Sequence, residues 1–227
     1  MPDINKCVLV TASSKGLGKS IANVFAENGY TIILHGRDIN KVKETKQFIQ
    51  KNKVKTYEVI GDLRDKEVIQ SLVDISKNKI TVLVNNAAIP CYGLPLEKMN
   101  NDKIMESLES NLISAILLTH KIYPLMKEQG FGSIININSI VGKESKKFRS
   151  IHSATKWGLK GFSKSLRIEA KENGIKVINV YPTQIKTIKE FTYGFEPDYV
   201  AKKIYKEHIE GDTGELVLDG RPEKFRK

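Results

Sequence analysis

The sequence predicts a doubly wound α/β domain, a parallel sheet of about seven strands with helices on both faces. Three observations predict it. Short runs of continuous apolar residues recur along the 227-residue chain, as in strands buried on both faces. Amphipathic stretches of helical period separate them, and such alternation marks crossover-connected parallel strands. Right-handed crossovers then place helices on both faces. The length fits one domain over 1–227, without repeats, low complexity or long linkers.

In chain order, KCVLVTA (6–12) reads as a buried strand. Gly18 to Asn28 reads as a helix with Ile21, Val24 and Phe25 at helical spacing. TIILHG (31–36) is the second strand, followed by a helix around 39–52 and a strand at 55–60. A helix from Asp65 to Lys77 precedes the fourth strand, ITVLVNNA (80–87). A long helix over about Asn101 to Gln129 leads to the strand GSIININSI (132–140). His152 to Asn173 is helical, KVINVYP (176–182) is a strand, and LVLDG (216–220) is the last.

With 40% apolar and 28% charged residues, the composition is that of a globular protein. No apolar run approaches the roughly 20 residues a membrane span needs. The N-terminal stretch has no signal-peptide pattern, so a cytoplasmic location without membrane association is expected. Cys7 and Cys91 are too few for a disulfide framework or a zinc site, and no metal is expected. The net charge of +11 raises nucleic acid as a partner. The lysines are spread along the chain without aromatic interleaving, however, so a solvated basic surface is preferred and no nucleic-acid partner is expected. Such a surface also attracts a phosphorylated cofactor.

The first strand runs into TASSKGLGKSIA (11–22). Gly16 and Gly18 fall where strand turns into helix, and there close backbone approach and exposed N–H groups suit a pyrophosphate. A strand, glycine turn and helix in this order make a Rossmann-type site. The second strand ends HGRD (35–38). A site for NAD(H) usually has a carboxylate at this strand end, but here Arg37 lies past the tip and Lys15 in the glycine loop. Two cations suit a ribose 2′-phosphate, so NADP(H) is favoured over NAD(H). Asp38 is the alternative, within reach of a ribose hydroxyl.

With these residues in place, the chain resembles a short-chain dehydrogenase/reductase of the shorter single-domain branch. The likeness runs from Val8 to Gly220, with the motifs in family order and spacing. TASSKGLG resembles the family's TGxxxGxG loop, which implies cofactor contacts from Thr11, Ser13, Ser14, Lys15, Gly16, Leu17 and Gly18. GDLRD matches the adenine-holding segment, carried by Asp62 and Leu63. NNAA, residues Asn85, Asn86, Ala87 and Ala88, matches NNAG after the fourth strand. PTQIKT matches the PGxxxT stretch along the nicotinamide and implies Pro182, Thr183, Ile185 and Thr187. On this likeness 1–90 is the cofactor-binding half and 91–220 the catalytic and substrate half.

The implied catalytic residues are Asn111, Ser139, His152 and Lys156. Ser139 lies thirteen residues before His152, and Lys156 closes HSATK where the family has YxxxK. The implied chemistry is hydride transfer between nicotinamide and a carbonyl or alcohol carbon. The serine holds the substrate oxygen, the tyrosine moves its proton, and the lysine lowers the phenol pKa and holds the nicotinamide ribose. The asparagine backbone binds a water that links the lysine to solvent. The departures from the pattern are Ala12, Ala88, Thr183 and His152. Ala12 and Ala88 stay small, while Thr183 narrows the nicotinamide side.

His152 is the departure that touches chemistry. Imidazole is a competent acid or base, but its distal nitrogen stops on the order of 2 Å short of a tyrosine oxygen, a gap a water can bridge. Lys156 disfavours imidazolium, so a neutral ring is expected, better as a base than as an acid. Three readings stay open: a working oxidoreductase using His152, a nucleotide-binding protein with weak or no turnover, and an introduced replacement of a tyrosine. His35, His120 and His208 are read as ordinary packing or surface residues.

After PTQIKT, the residues Phe191, Tyr193 and Phe195 either cover a small carbonyl substrate or simply pack their loop. The 101–129 stretch is apolar around much of its circumference, more than one covered face requires. Relatives assemble through this helix and the one at 152–173, so a homodimer or homotetramer is expected. The tail RPEKFRK is assigned no function.

Overall fold

The computed structural model describes residues 6–187, 193–211 and 213–222. Seven strands form one sheet: β1 Cys7–Val10, β2 Thr31–Gly36, β3 Thr56–Ile60, β4 Ile80–Asn85, β5 Gly132–Ile137, β6 Ile175–Pro182 and β7 Glu215–Leu218. Their order is β3-β2-β1-β4-β5-β6-β7 and every pairing is parallel. The helices are α1 Gly16–Glu27, α2 Ile39–Gln50, α3 Lys66–Ser76, α4 Asn101–Leu108, α5 Ser114–Gln129, α6 Ser150–Lys171 and α7 Pro197–Glu210.

Continuous apolar strands serve two cores at once because successive side chains point to opposite faces. Val8, Val10, Ile32, Leu34, Val82 and Val84 face one core, closed by Ile21 and Phe25 of α1, Val42 of α2 and Ile204 of α7. Leu9, Ile33, Leu83 and Ile134 face the other, closed by Leu72 of α3, Leu118 and Ile122 of α5 and Leu166 of α6. Burying each such side chain stabilises the fold by about 1.5–3 kcal/mol before entropy is counted.

Asp38 accepts from the amides of Asn40 and Lys41 and so caps α2. Asp65 caps α3 and Asn100 caps α4 in the same way. Helix α6 begins at Ser150, two residues before the predicted start. The predicted long helix over 101–129 is continuous but irregular, with a π turn at Glu109–Ile113 between α4 and α5. The last strand begins and ends slightly earlier than the sequence suggests.

Strand order reverses between β1, whose chain continues to β2, and β4, which lies on the other side. In open sheets of this kind, ligands bind outside the carboxyl ends of the strands at this point. Two adjoining pockets open there, a cleft of about 410 Å³ and a second of about 240 Å³.

Candidate active site

The glycine loop leaves β1 and enters α1 under tight steric control. Gly16 has φ +52, and a Cβ on Gly18 would collide with the Ala12 carbonyl oxygen. Ala12 itself has φ +50, a left-handed conformation costly for alanine. Its family counterpart is glycine, so the substitution preserves size but adds backbone strain. Unlike α2, α3 and α4, α1 has no side-chain cap, and its first turn also holds no acidic residue. Its first N–H groups therefore keep their capacity for an anion.

His35 holds this loop from beneath. Its Nδ1 accepts the Ala12 amide at 3.2 Å and its Nε2 donates to the Gly61 carbonyl at 3.1 Å. Burial pushes its pKa down to about 4, which keeps the ring neutral. His208 is a partly buried link, between Tyr30 and Ser133. The packing role expected for these two histidines is what the structure shows.

The 240 Å³ pocket is lined by Ser14, Lys15, Arg37, Lys41, Asp62, Leu63, Ala87 and Ala88. Asp38 also lines it, but its carboxylate caps α2 and pairs with Lys41 at 3.2 Å. The alternative role of Asp38 toward a ribose hydroxyl is thus in competition with its helix. Asp62 accepts two hydrogen bonds from the Arg64 guanidinium, at 3.1 and 3.0 Å, and lies 3.7 Å from Arg37. The Arg64 contact is the main cause that holds its carboxyl below the usual range.

The 410 Å³ cleft collects Leu17, Asn86, Ala88, Pro182, Thr183, Ile185 and Thr187 with Ser139, His152 and Lys156. Thr187 reaches across to the glycine loop, its methyl 3.2 Å from a Cβ built on Gly16. Thr183 is drawn off by β7, donating to the Leu218 carbonyl and accepting the Gly220 amide.

Ser139 lies two residues past the end of β5 and opens a 3₁₀ turn at Ile140–Gly142. Asn138 fixes it, accepting the Ser139 amide at 2.9 Å and donating to the Lys156 carbonyl at 3.0 Å. Lys156 is 3% exposed, and its Nζ donates to the Ile137 carbonyl at 2.9 Å. Burial pushes its pKa down to about 8. His152 stands one turn earlier on α6, with Nδ1 enclosed and without a hydrogen-bond partner. Its pKa falls to about 4, first through burial and then through the charges of Lys156 and Arg149. The neutral ring expected from the sequence is what this environment imposes.

Four predicted site residues turn their side chains away from the crevice. The Thr11 hydroxyl accepts the amides of Asn86 and Ala87. Ser13 bonds the His35 backbone. Asn85 donates to Thr119 and Asn136. Asn111 clasps the Ile89 backbone, accepting its amide at 2.7 Å and donating to its carbonyl at 2.9 Å. Their side chains shape the site from behind. Cys91 is buried with its thiol toward the Lys103 carbonyl, outside the cleft lining. Tyr193 lines the cleft, whereas Phe195 packs on the Tyr199 ring at 5.4 Å. Phe191 and the tail beyond Pro222 lie outside the described residues.

The sequence reading did not single out Tyr92, Lys146 or Arg149, all of which line the cleft. Arg149 lies 4.5 Å over the Tyr92 ring, which meets the His152 ring edge-on at 5.6 Å. Arg149 is the residue just before α6, three residues ahead of His152.

Fold and crevice together define a Rossmann-type nucleotide-binding protein. The short chain dehydrogenase family model matches residues 6–191, and the chain belongs to this family of oxidoreductases. An uncharacterised oxidoreductase of Staphylococcus saprophyticus is 32% identical over 191 residues, covering 81% of this chain and 80% of that protein. The 3-oxoacyl-acyl-carrier-protein reductase of Buchnera aphidicola is 32% identical over 185 residues, covering 80% and 74%. Among solved structures, a metagenomic short-chain oxidoreductase in complex with NADP superposes with a TM-score of 0.84 at 26% identity, covering 94% and 96%. A short-chain dehydrogenase from Sphingobium yanoikuyae in complex with NADPH shares the fold, with a TM-score of 0.85 at 23% identity, covering 94% and 87%. Members of the family typically act on small molecules.

Proposed function

We propose that this chain is an NADP(H)-dependent oxidoreductase that interconverts a carbonyl and an alcohol on a small substrate, with His152 handling the proton. The observation that carries the reading is the gathering of Ser139, His152 and Lys156 in the lining of one cleft. The residues present fit the cofactor. The open N-terminus of α1 takes its pyrophosphate, while Lys15, Arg37 and Lys41 surround a pocket suited to a phosphorylated ribose. Asp38, the carboxylate just past the end of β2, is engaged in its cap. When bound, NADP(H) supplies or accepts the hydride.

Ser139 Oγ holds the substrate oxygen, and the neutral His152 ring accepts its proton in the oxidative direction. Because Nδ1 is enclosed, Nε2 is the nitrogen left to the cleft. Lys156, held by the Ile137 carbonyl, places a cation beside this oxygen and favours its deprotonated form. In the reverse direction the ring must first gain a proton, against the fields of Lys156 and Arg149.

That opposition favours a second reading, a nucleotide-binding protein with little turnover. The test compares the chain with His152→Ala and His152→Tyr in NADPH consumption with aldehydes and ketones and in NADP reduction with alcohols. On the main reading, His152→Ala lowers kcat/KM about 10²–10⁴-fold. NADPH binding without turnover, with activity created by His152→Tyr, would establish the second reading.

The proposed assembly is a homodimer or homotetramer. Met105 on α4, Ile113 in the π turn and Leu117 on α5, with Trp157 and Ile168 on α6, leave apolar surface exposed. Among the described residues no helix is long and apolar enough to cross a membrane. A cytoplasmic location is proposed.

A further inference from the structure

The cleft wall beside His152 carries charge of one sign. Lys146, Arg149, Lys156 and Arg221 line it, and no aspartate or glutamate does so among the described residues. Two of these cations are already committed. Arg221 is held by a bidentate contact to Glu144, at 2.6 and 2.8 Å, and by Asp219. Lys156 is bonded to the Ile137 carbonyl deep in the cleft.

Arg149 and Lys146 remain, with no ion-pair partner among the described residues. Arg149 is half-buried and positioned over the face of Tyr92, which in turn packs on His152. This stacking holds the guanidinium beside the reacting group and limits the side-chain entropy that binding would cost. Arg149 also precedes the first turn of α6, which has no side-chain cap and no acidic residue. The free N–H groups there add to the same positive field.

We propose that the substrate carries an anionic group, such as a carboxylate, sulfonate or phosphate, held at the cleft mouth by Arg149 and Lys146 while its carbonyl or alcohol reaches Ser139 and His152. The proposal rests on the oxidoreductase reading of the same cleft. Arg149 offers a planar fork for two anion oxygens and Lys146 a mobile second charge. The excess basic charge of the whole chain draws such substrates toward the cleft.

The experiment measures equilibrium binding by NMR titration of the full chain, with the His152 ring signals as the local reporter. The probes are 3-hydroxybutyrate, 2-hydroxyethanesulfonate and glycerol phosphate, with 3-hydroxybutanamide as the neutral match of the first. The expected result is binding of at least one anion about tenfold or more tighter than the amide. In Arg149→Gln and in Lys146→Gln this preference falls roughly tenfold. Lys146 is exposed and its replacement leaves the fold intact, so the test survives if Arg149→Gln disturbs the Tyr92 stack. Equal binding of anions and amide, or a preference that persists when both cations are replaced, overturns the proposal. Binding needs no turnover, so an anion site in a chain that turns nothing over would sink only the oxidoreductase reading. Turnover of neutral carbonyls with no anion preference would sink only this proposal.

Discussion

Lys156 Nζ donates to the Ile137 carbonyl, which places a buried ammonium between the end of β5 and His152 one turn earlier on α6. Burial is the first cause that keeps the neighbouring imidazole from holding a proton, and the charge of the residue that anchors the helix to the sheet adds to it.

Three histidines are held neutral by their surroundings. His35, His152 and His208 all have pKa values lowered from 6.5 to about 4, each mainly by burial. Unfolding releases them to titrate normally, so the unfolded chain binds more protons as pH falls below 6.5. Stability from this source is whole above 6.5 and is lost as pH drops toward 4, at roughly 1–3 kcal/mol per group. Urea unfolding across that window reads the loss, and a flat profile would contradict the neutral assignments.

Ala12→Gly should stabilise the fold. At φ +50 the alanine is strained, and glycine removes the strain while adding freedom to the unfolded chain. The net gain is about 0.5–1 kcal/mol, read as a higher denaturation midpoint. A loss of stability would show that the Ala12 methyl contributes packing that outweighs its conformation.

Arg37→Ala should weaken NADPH by roughly ten- to a hundredfold and change NADH much less, measured by calorimetry. The exposed pairing of Arg37 with Asp62 adds little to stability, so the fold is unaffected. An unchanged ratio of the two affinities would remove Arg37 from the cofactor site.

Leu117→Asp should shift the chain toward monomer in analytical ultracentrifugation. Leu117 is exposed in the single chain, so a charge there disturbs an interface and not the core. An unaltered sedimentation profile would place any assembly on another face.

The sheet was legible because strands such as CVLV and TIILHG need apolar residues on both sides, and helices only on one. Ser139, His152 and Lys156 were legible through the likeness of ININSI and HSATK to the family's motifs. What local pattern cannot show is where a polar side chain spends its hydrogen bonds. Asp38 reads as the alternative ribose ligand, and only the fold shows the amides of Asn40 and Lys41 upon it. Asn85 reads as a cofactor contact, yet its side chain faces the scaffold, donating to Thr119 and Asn136. Tyr92 reaches the site from a loop far from α6 in sequence, and no spacing rule connects the two.

The π turn at Glu109–Ile113 rotates the faces of α5 relative to those of α4. One additional residue in a turn advances the phase of everything after it by about 100°. Met105 and Leu117 therefore cannot be set on one helical wheel, which explains why a regular wheel over 101–129 finds apolar residues on nearly every side. The turn works as an angular offset. It lets Asn111 face inward to Ile89 while Ser114 and Ala115, which open α5, are buried as well.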